Sequence, residues 1–277
     1  MSKNEETAEL NELPESMKLY APIIKREFEK QSNKKEINTS YKKDINEEYI
    51  KTLKEGIEKG IPKAMHKYAF YVEDENDMTE SIKFYKMAID LGYAESMHNY
   101  AFILLKGIGV DQDIKEANKY FKMAADHGFA ESMYYYAHMA EKGEGMEVNI
   151  QESMKYYKMA ADHDFVYAFT KLGSIYENGS LGIETDIKEA MKYYKIAADN
   201  GSTDGMYHYT QLLYKTNSST DEIYRYIKMA ADAGDVNAMC TYSMILKEGL
   251  LGEPDPIGSM KYFLMAINAS NHSDDED

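Results

Sequence analysis

Apolar residues return along this chain at helical spacing, and the helical stretches themselves return at a fixed interval. In IKEANKYFKMAAD (114–126), Ile114, Ala117, Tyr120, Phe121 and Ala124 are spaced so that they share one face of a helix. The strings YKMAIDLG (85–92), FKMAADHG (121–128), YKMAADHD (157–164), YKIAADNG (194–201) and IKMAADAG (227–234) repeat the second half of that helix. FLMAINAS (263–270) is a further version. The interval is about 36 residues, in the range of tandem two-helix repeats. Ahead of the helix at 114–126 stands another helical stretch, AESMHNYAFILLK (94–106), joined to it by GIGVDQD (107–113). The pattern therefore predicts a repeating pair, helix A followed by helix B.

Local signals agree with that division. Asp113–Glu116, Asn149–Glu152, Asp186–Glu189 and Ser219–Glu222 each place a capping residue three positions before a glutamate, at the predicted start of helix B. Gly92, Gly128, Gly201 and Gly234 stand where helix B should end. Glycine pairs also mark the A–B connectors, as Gly107/Gly109, Gly143/Gly145, Gly179/Gly182 and Gly249/Gly252. The units at 60–91 and 202–233 lack such a pair and predict shorter turns. Small residues recur at fixed sites: Ala101, Ala137 and Gly173 in helix A, with Thr210 and Ser243 matching, and Ala88, Ala124, Ala160, Ala197 and Ala230 in helix B. They predict close helix approach, with Tyr, Phe and Met filling the surrounding space. Helices this short are marginal alone, so stability should come from each unit burying its apolar stripe on its neighbours.

These residues resemble the Sel1-like repeat family, a relative of the tetratricopeptide repeats, over residues 44–270. The resemblance rests on Leu172, Gly173 and Tyr176 in helix A and on Gly107, Gly109 and Val110 in the connector. In helix B it rests on Glu189, Ala190, Tyr193, Tyr194, Lys195, Ala197 and Ala198. The chain departs by using Tyr where the family often has Trp, and Met-x-x-Tyr-Ala where it often has Leu-Gly. The resemblance implies an all-α fold, an α/α solenoid in which antiparallel helix pairs wind into a right-handed superhelix. The expected organisation is an acidic disordered lead at 1–12, divergent N-terminal helices or a cap at 13–59, six repeats, and an acidic tail at 271–277. The repeats are 60–91, 92–127, 128–163, 164–200, 201–233 and 234–270.

Both ends need separate treatment. PESMKLYAPIIKREFEK (14–30) has Met17, Tyr20, Ile23, Ile24 and Phe28 at helical spacing, with 31–43 as its connector. Residues 44–58 read as a lone B helix, because Ile50, Leu53 and Ile57 align with Ile82, Tyr85 and Ile89. At the other end, a B helix near 256–269 carries Ile257, Met260, Phe263, Leu264 and Ile267, and SNHSDDED follows with no packing signal. Two readings stay open there: the stretch Met260–Ile267 supports self-association, or the helix turns its apolar side inward. Ser273 begins an acidophilic kinase-like motif within what reads more simply as a solubilising tail.

Composition removes several function classes. The 277 residues carry a net charge of −16 with no polybasic block, which argues against nucleic acid and anionic membrane as partners. Cys240 is the single cysteine, so neither an intrachain disulfide nor a multi-cysteine metal site is expected. No secretory signal and no run of about 18 apolar residues occurs, so a cytoplasmic protein without a membrane span is expected. Among seven histidines there is no His-Glu-x-x-His; His66 and His98 occupy one slot of successive A helices, about 8–10 Å apart by helix packing, too far for a shared metal. No phosphate-binding loop or nucleophile elbow is present, and the Gly-x-Gly pairs follow helices, not strands. The expectation is no enzyme, no catalytic residue, no metal and no cofactor.

Family spacing implies that the A helices line an extended groove for a protein or peptide. The residues carried over are His66, Lys67 and Phe70; His98, Asn99 and Phe102; Tyr134, Tyr135 and His138; Thr170, Lys171 and Ser174; Tyr207, His208 and Gln211; and finally Cys240, Thr241 and Met244. The leading reading is a non-catalytic scaffold or adaptor. The alternatives are a regulatory or activator subunit of another enzyme, or a secretory-pathway quality-control subunit. A β-lactam-interacting enzyme is remote, because the cysteine-rich relatives that suggest it depend on disulfides.

Overall fold

A computed structural model describes residues 40–74 and 77–273. The lead at 1–12, the helix expected over 14–30, residues 274–277 and the Ser273 side chain lie outside what is described. Among the described residues there are thirteen helices and no strand. Helix α1 (Ser40–Glu58) precedes six A–B pairs. These are α2 (Pro62–Asp74) with α3 (Met78–Asp90), α4 (Ala94–Lys106) with α5 (Ile114–Asp126), and α6 (Ala130–Lys142) with α7 (Ile150–Asp162). There follow α8 (Val166–Asn178) with α9 (Ile187–Asp199), α10 (Thr203–Lys215) with α11 (Thr220–Asp232), and α12 (Val236–Glu248) with α13 (Pro256–Ser273). Consecutive helices pack on one another from end to end, which makes the chain an α/α solenoid. No described helix is long and apolar enough to cross a membrane.

Two boundaries differ from expectation. Helix α1 starts at Ser40, so the connector expected over 31–43 gives way to helix four residues before Asp44. Helix α13 runs to Ser273, so the residues expected to begin an unstructured tail continue the helix. The two units without connector glycines do have the fewest residues between helix A and helix B, at 75–77 and 216–219.

Helix starts follow their side chains. Asp77, Asp113, Asn149 and Asp186 each accept a hydrogen bond from the backbone of the glutamate three residues on. Ser219 does not: its hydroxyl makes no cap bond. The Glu222 carboxylate accepts from Lys195 and from the Tyr209 hydroxyl. Ser202 and Asp235 cap A helices instead, through Gly205 and Ala238.

Helix B ends in a paired backbone turn, as when Gly128 N–H bonds Ala125 and Phe129 N–H bonds Ala124. That turn needs a left-handed residue, supplied by Gly128 at φ +88°. In the α7–α8 turn the same bonds form around Asp164, which has a Cβ and sits at φ +58°. Left-handed backbone costs an L-residue about 1–2 kcal/mol, offset in part by the greater unfolded-state freedom of glycine. Asp164→Gly is therefore expected to raise unfolding stability by up to about 1 kcal/mol. Urea denaturation measures it, and a lowered midpoint would refute the account.

Packing uses the small sites as predicted. Ala101 and Ala137 are fully buried, as are Ala88, Ala124, Ala160 and Ala197. At Gly173 even a methyl group would lie 2.7 Å from the Tyr194 ring. Five hairpins also set an A-helix tyrosine edge-on against a B-helix aromatic ring, Tyr136–Tyr156 at 4.7 Å and Tyr242–Tyr262 at 4.9 Å among them. Successive B helices are strapped by hydrogen bonds. Tyr156 donates to Asp126 at 2.6 Å and Tyr226 to Asp199 at 2.6 Å, while Lys122 and Lys195 donate to the same tyrosines.

Candidate binding groove

Each A helix from α2 to α12 spans 13 residues, so equivalent positions form columns along the array. The fifth-position column holds His66, His98, Tyr134, Thr170, Tyr207 and Cys240. Three of these tie one A helix to the next. His66 Nδ1 and Ser96 Oγ are 3.0 Å apart, His98 Nδ1 and Ser132 Oγ 2.7 Å, and Thr170 Oγ1 and Ser202 Oγ 3.3 Å. The other ring nitrogens face carboxylates: His66 Nε2 lies 3.6 Å from Glu95, and His98 Nε2 lies 3.6 Å from Glu131. His98 is only 5% exposed and packs against Phe102, Phe129 and Tyr135, which removes it from the surface.

Burial lowers the pKa of His66 below its ordinary 6.5, against the opposing pull of Glu95 and with smaller contributions from Lys67 and His98. A histidine with a depressed folded-state pKa binds fewer protons folded than unfolded as the pH falls below 6.5. Its stabilising contribution is complete above that value and is lost as pH falls through the folded pKa. Acidification from neutral pH is therefore expected to lower the unfolding midpoint, and less so in His66→Gln. An identical pH slope in the two proteins would count against it.

The sixth-position column reaches back to the preceding unit. There a B-helix tyrosine donates to a glutamate near the end of its own A helix: Tyr85 to Glu73 at 2.9 Å, Tyr157 to Glu141 at 2.8 Å, and Tyr194 to Glu177 at 3.0 Å. Asn99 donates to the Tyr85 hydroxyl at 3.1 Å, and Lys171 approaches Glu141 to 2.9 Å. His208 stacks on Tyr194 with centroids 4.8 Å apart and lies 4.0 Å from Glu177, which Lys215 also pairs at 3.5 Å. Burial pushes the Tyr157 hydroxyl pKa up, and its bond to Glu141 adds to that. For Glu141 burial alone would raise the carboxyl pKa, but hydrogen bonds from Lys171 and Tyr157 hold it below the usual range.

Between α4 and α6 the polar trio becomes apolar. Leu105 replaces the glutamate and Phe121 the tyrosine, and Tyr135 stacks on Phe121 at 5.6 Å. The short-range cap and motif signals do not single out this pairing. Its signal is in the repeat: Glu73, Glu141 and Glu177 accompany Tyr85, Tyr157 and Tyr194, and Leu105 accompanies Phe121.

The remaining expected residues divide by exposure. Phe70 and Met244 stand 54% and 59% exposed, and Lys67 and Gln211 are exposed too. Phe102, Tyr134, His138, Thr241 and Cys240 are half-buried. Ser174, Tyr207, His208 and Gln211 do converge, with Glu177 and Tyr194, around an open depression of about 290 Å³ between α8 and α10. Tyr207 is 61% exposed at its rim. Tyr167 and Tyr214 are exposed aromatics on A helices that the expected groove did not include. Among the described residues no group of three or more His, Cys, Asp or Glu side chains is placed to hold a metal.

The Sel1 repeat model matches residues 62–93, 94–129, 130–165, 167–202 and 236–271, well over half of the chain. The α10–α11 hairpin lies between the last two matches and has the same two-helix form. Among curated proteins, none matches the chain in sequence. Among solved structures, a Sel1 repeat protein from Oxalobacter formigenes is 28% identical with a TM-score of 0.65, over 75% of this chain and 88% of that one. The protective antigen c5321 of uropathogenic Escherichia coli, which has an SLR fold, is 20% identical with a TM-score of 0.54, over 81% of this chain and 57% of that one.

Proposed function

Because the chain belongs to the Sel1 repeat family, we propose that it is a non-catalytic adaptor holding a segment of another protein along its A-helix face. The observation that carries this reading is the depression between α8 and α10. There Tyr207 stands exposed beside a His208–Tyr194 stack in which the Tyr194 hydroxyl donates to Glu177 and His208 Nδ1 lies 4.0 Å from the same carboxylate. The groove's charges are largely spent on one another, as Lys171 is on Glu141 and Lys215 on Glu177. What it offers a ligand is rigid aromatic area with hydroxyl, imidazole and amide edges, the chemistry that binds a peptide segment at small entropic cost. Phe70 at one end and Met244 at the other extend the apolar contact along the array. A partner would lie across several units, with Tyr207 as an anchor.

Tyr207 makes a clean probe because an exposed side chain contributes little to folding, within about 0.5 kcal/mol. Partners identified by proximity labelling in the native cell would be tested for binding to the purified chain. Tyr207→Ala is expected to weaken that binding by about 30-fold, the typical worth of a buried tyrosine anchor, with the unfolding midpoint unchanged. Full-strength binding by Tyr207→Ala, and by a variant with Tyr134, Tyr135 and His138 all changed to alanine, would remove the groove assignment.

A further inference from the structure

We infer that the chain forms a two-fold dimer in which helix α13 lies along the α13 of a second copy. The B helices before it all place lysine at the ninth position, as Lys86, Lys122, Lys158, Lys195 and Lys228; α13 places Leu264 there. At the second position those helices carry Thr79, Lys115, Gln151, Lys188 and Asp221, all exposed although another unit follows each. There α13 carries Ile257, which is 66% exposed. At the eighth and twelfth positions Phe263 and Ile267 are 43% and 39% exposed. Their counterparts Tyr157 and Ala161 are buried beneath the next A helix.

A further repeat stacked on α13 would cover Met260, Phe263 and Ile267, whose counterparts Met154, Tyr157 and Ala161 are buried, and still leave Ile257 and Leu264 in water, as the polar residues at those two positions of the earlier B helices show. A different partner geometry is needed. Ile257, Met260, Leu264 and Ile267 follow one another at intervals of three, four and three residues. That is the narrow stripe of one helix lying along another, not the broad face of a helix covered by a layer. Ser259, Tyr262 and Ala266 are buried, while along the stripe Ile257 and Ile267 are exposed and Met260 and Leu264 half-buried.

The stripe matches itself. A two-fold axis sets the same surface against its own copy, and here that brings Ile, Met and Leu against Ile, Met and Leu. Charge favours this site over the rest of the molecule. Two chains of net charge −16 repel, yet residues 256–270 carry Lys261 as their only charge. The contact is remote from the depression between α8 and α10, so it stands independently of the groove.

Sedimentation equilibrium of the full chain over a range of concentrations tests the inference, with a species of twice 31.8 kDa expected. Ile257→Lys with Leu264→Lys writes in residues that other B helices use at those positions. It should leave helicity by circular dichroism unchanged while weakening the dimer by about 100-fold or more. Ile257→Lys alone changes the most exposed of the four and keeps the test valid should the double variant unfold. A monomer at every concentration would overturn the inference. So would a dimer whose affinity the substitutions leave unchanged.

Discussion

Phe121→Ala is expected to cost about 3–5 kcal/mol of unfolding stability. The ring is completely buried and lies where three helices meet. It touches His98 at 5.6 Å, Phe102 at 5.1 Å and Tyr135 at 5.6 Å between centroids, so it joins α4, α5 and α6. Every one of those neighbours is held by others, His98 by Ser132 and Tyr135 by Tyr134, so the site collapses poorly once the ring is removed. In a stacked array stability is approximately the sum of unit and interface contributions. The damage should therefore concentrate at the α4–α6 junction, seen as lost amide protection over residues 94–142. Urea unfolding should broaden or divide as the two sides uncouple. A loss below about 1 kcal/mol would mean that the junction repacks, against the tight-packing account.

The second large effect is a coupling. Glu141→Leu leaves the Tyr157 hydroxyl buried without its acceptor, and Tyr157→Phe removes one donor from a carboxylate that is largely enclosed. Each single change is expected to cost about 1–3 kcal/mol. The double change reproduces the Leu105–Phe121 arrangement that α4 and α5 already use, and should cost much less than the two singles together. Lys171, a quarter exposed, can turn to solvent when its partner goes. A coupling energy of about 1 kcal/mol or more is expected from the double-mutant cycle. Since the Glu141 carboxyl pKa is held low, the interaction is present above the ordinary carboxylate range and fades as pH falls through the folded value. The coupling should shrink in acid. Simple additivity at neutral pH would show that the two side chains do not act as a unit.

Much of the architecture was legible because it is written in local chemistry. The caps at Asp113, Asn149 and Asp186, the helix-ending Gly128 and the buried alanines at 88, 124, 160 and 197 are all short-range or periodic signals. Each could be read before any contact was known. Ser219 shows the limit of that reading. Its spacing to Glu222 is right, yet its hydroxyl makes no cap bond, and the Glu222 carboxylate instead serves Lys195 and Tyr209 on neighbouring helices. The groove was legible as a set of columns and not as a surface. His66 and His98 share a column with Tyr207, but the histidines turn to serines by the next helix while the tyrosine stays exposed.

What the sequence determined alone is the two-helix unit, its period, its turns and its membership of a solenoid class. These depend on hydrogen bonds and apolar spacing within about 36 residues, and repetition reinforces each signal. The tertiary structure decided which equivalent residues are spent on holding neighbouring units together and which remain for a partner. That choice turns on contacts between side chains 30 or more residues apart, such as His66 with Ser96 and Lys171 with Glu141. A column position names only a direction from the helix axis. Whether a side chain in that direction meets solvent or a neighbour depends on the residue that the next unit sets opposite it.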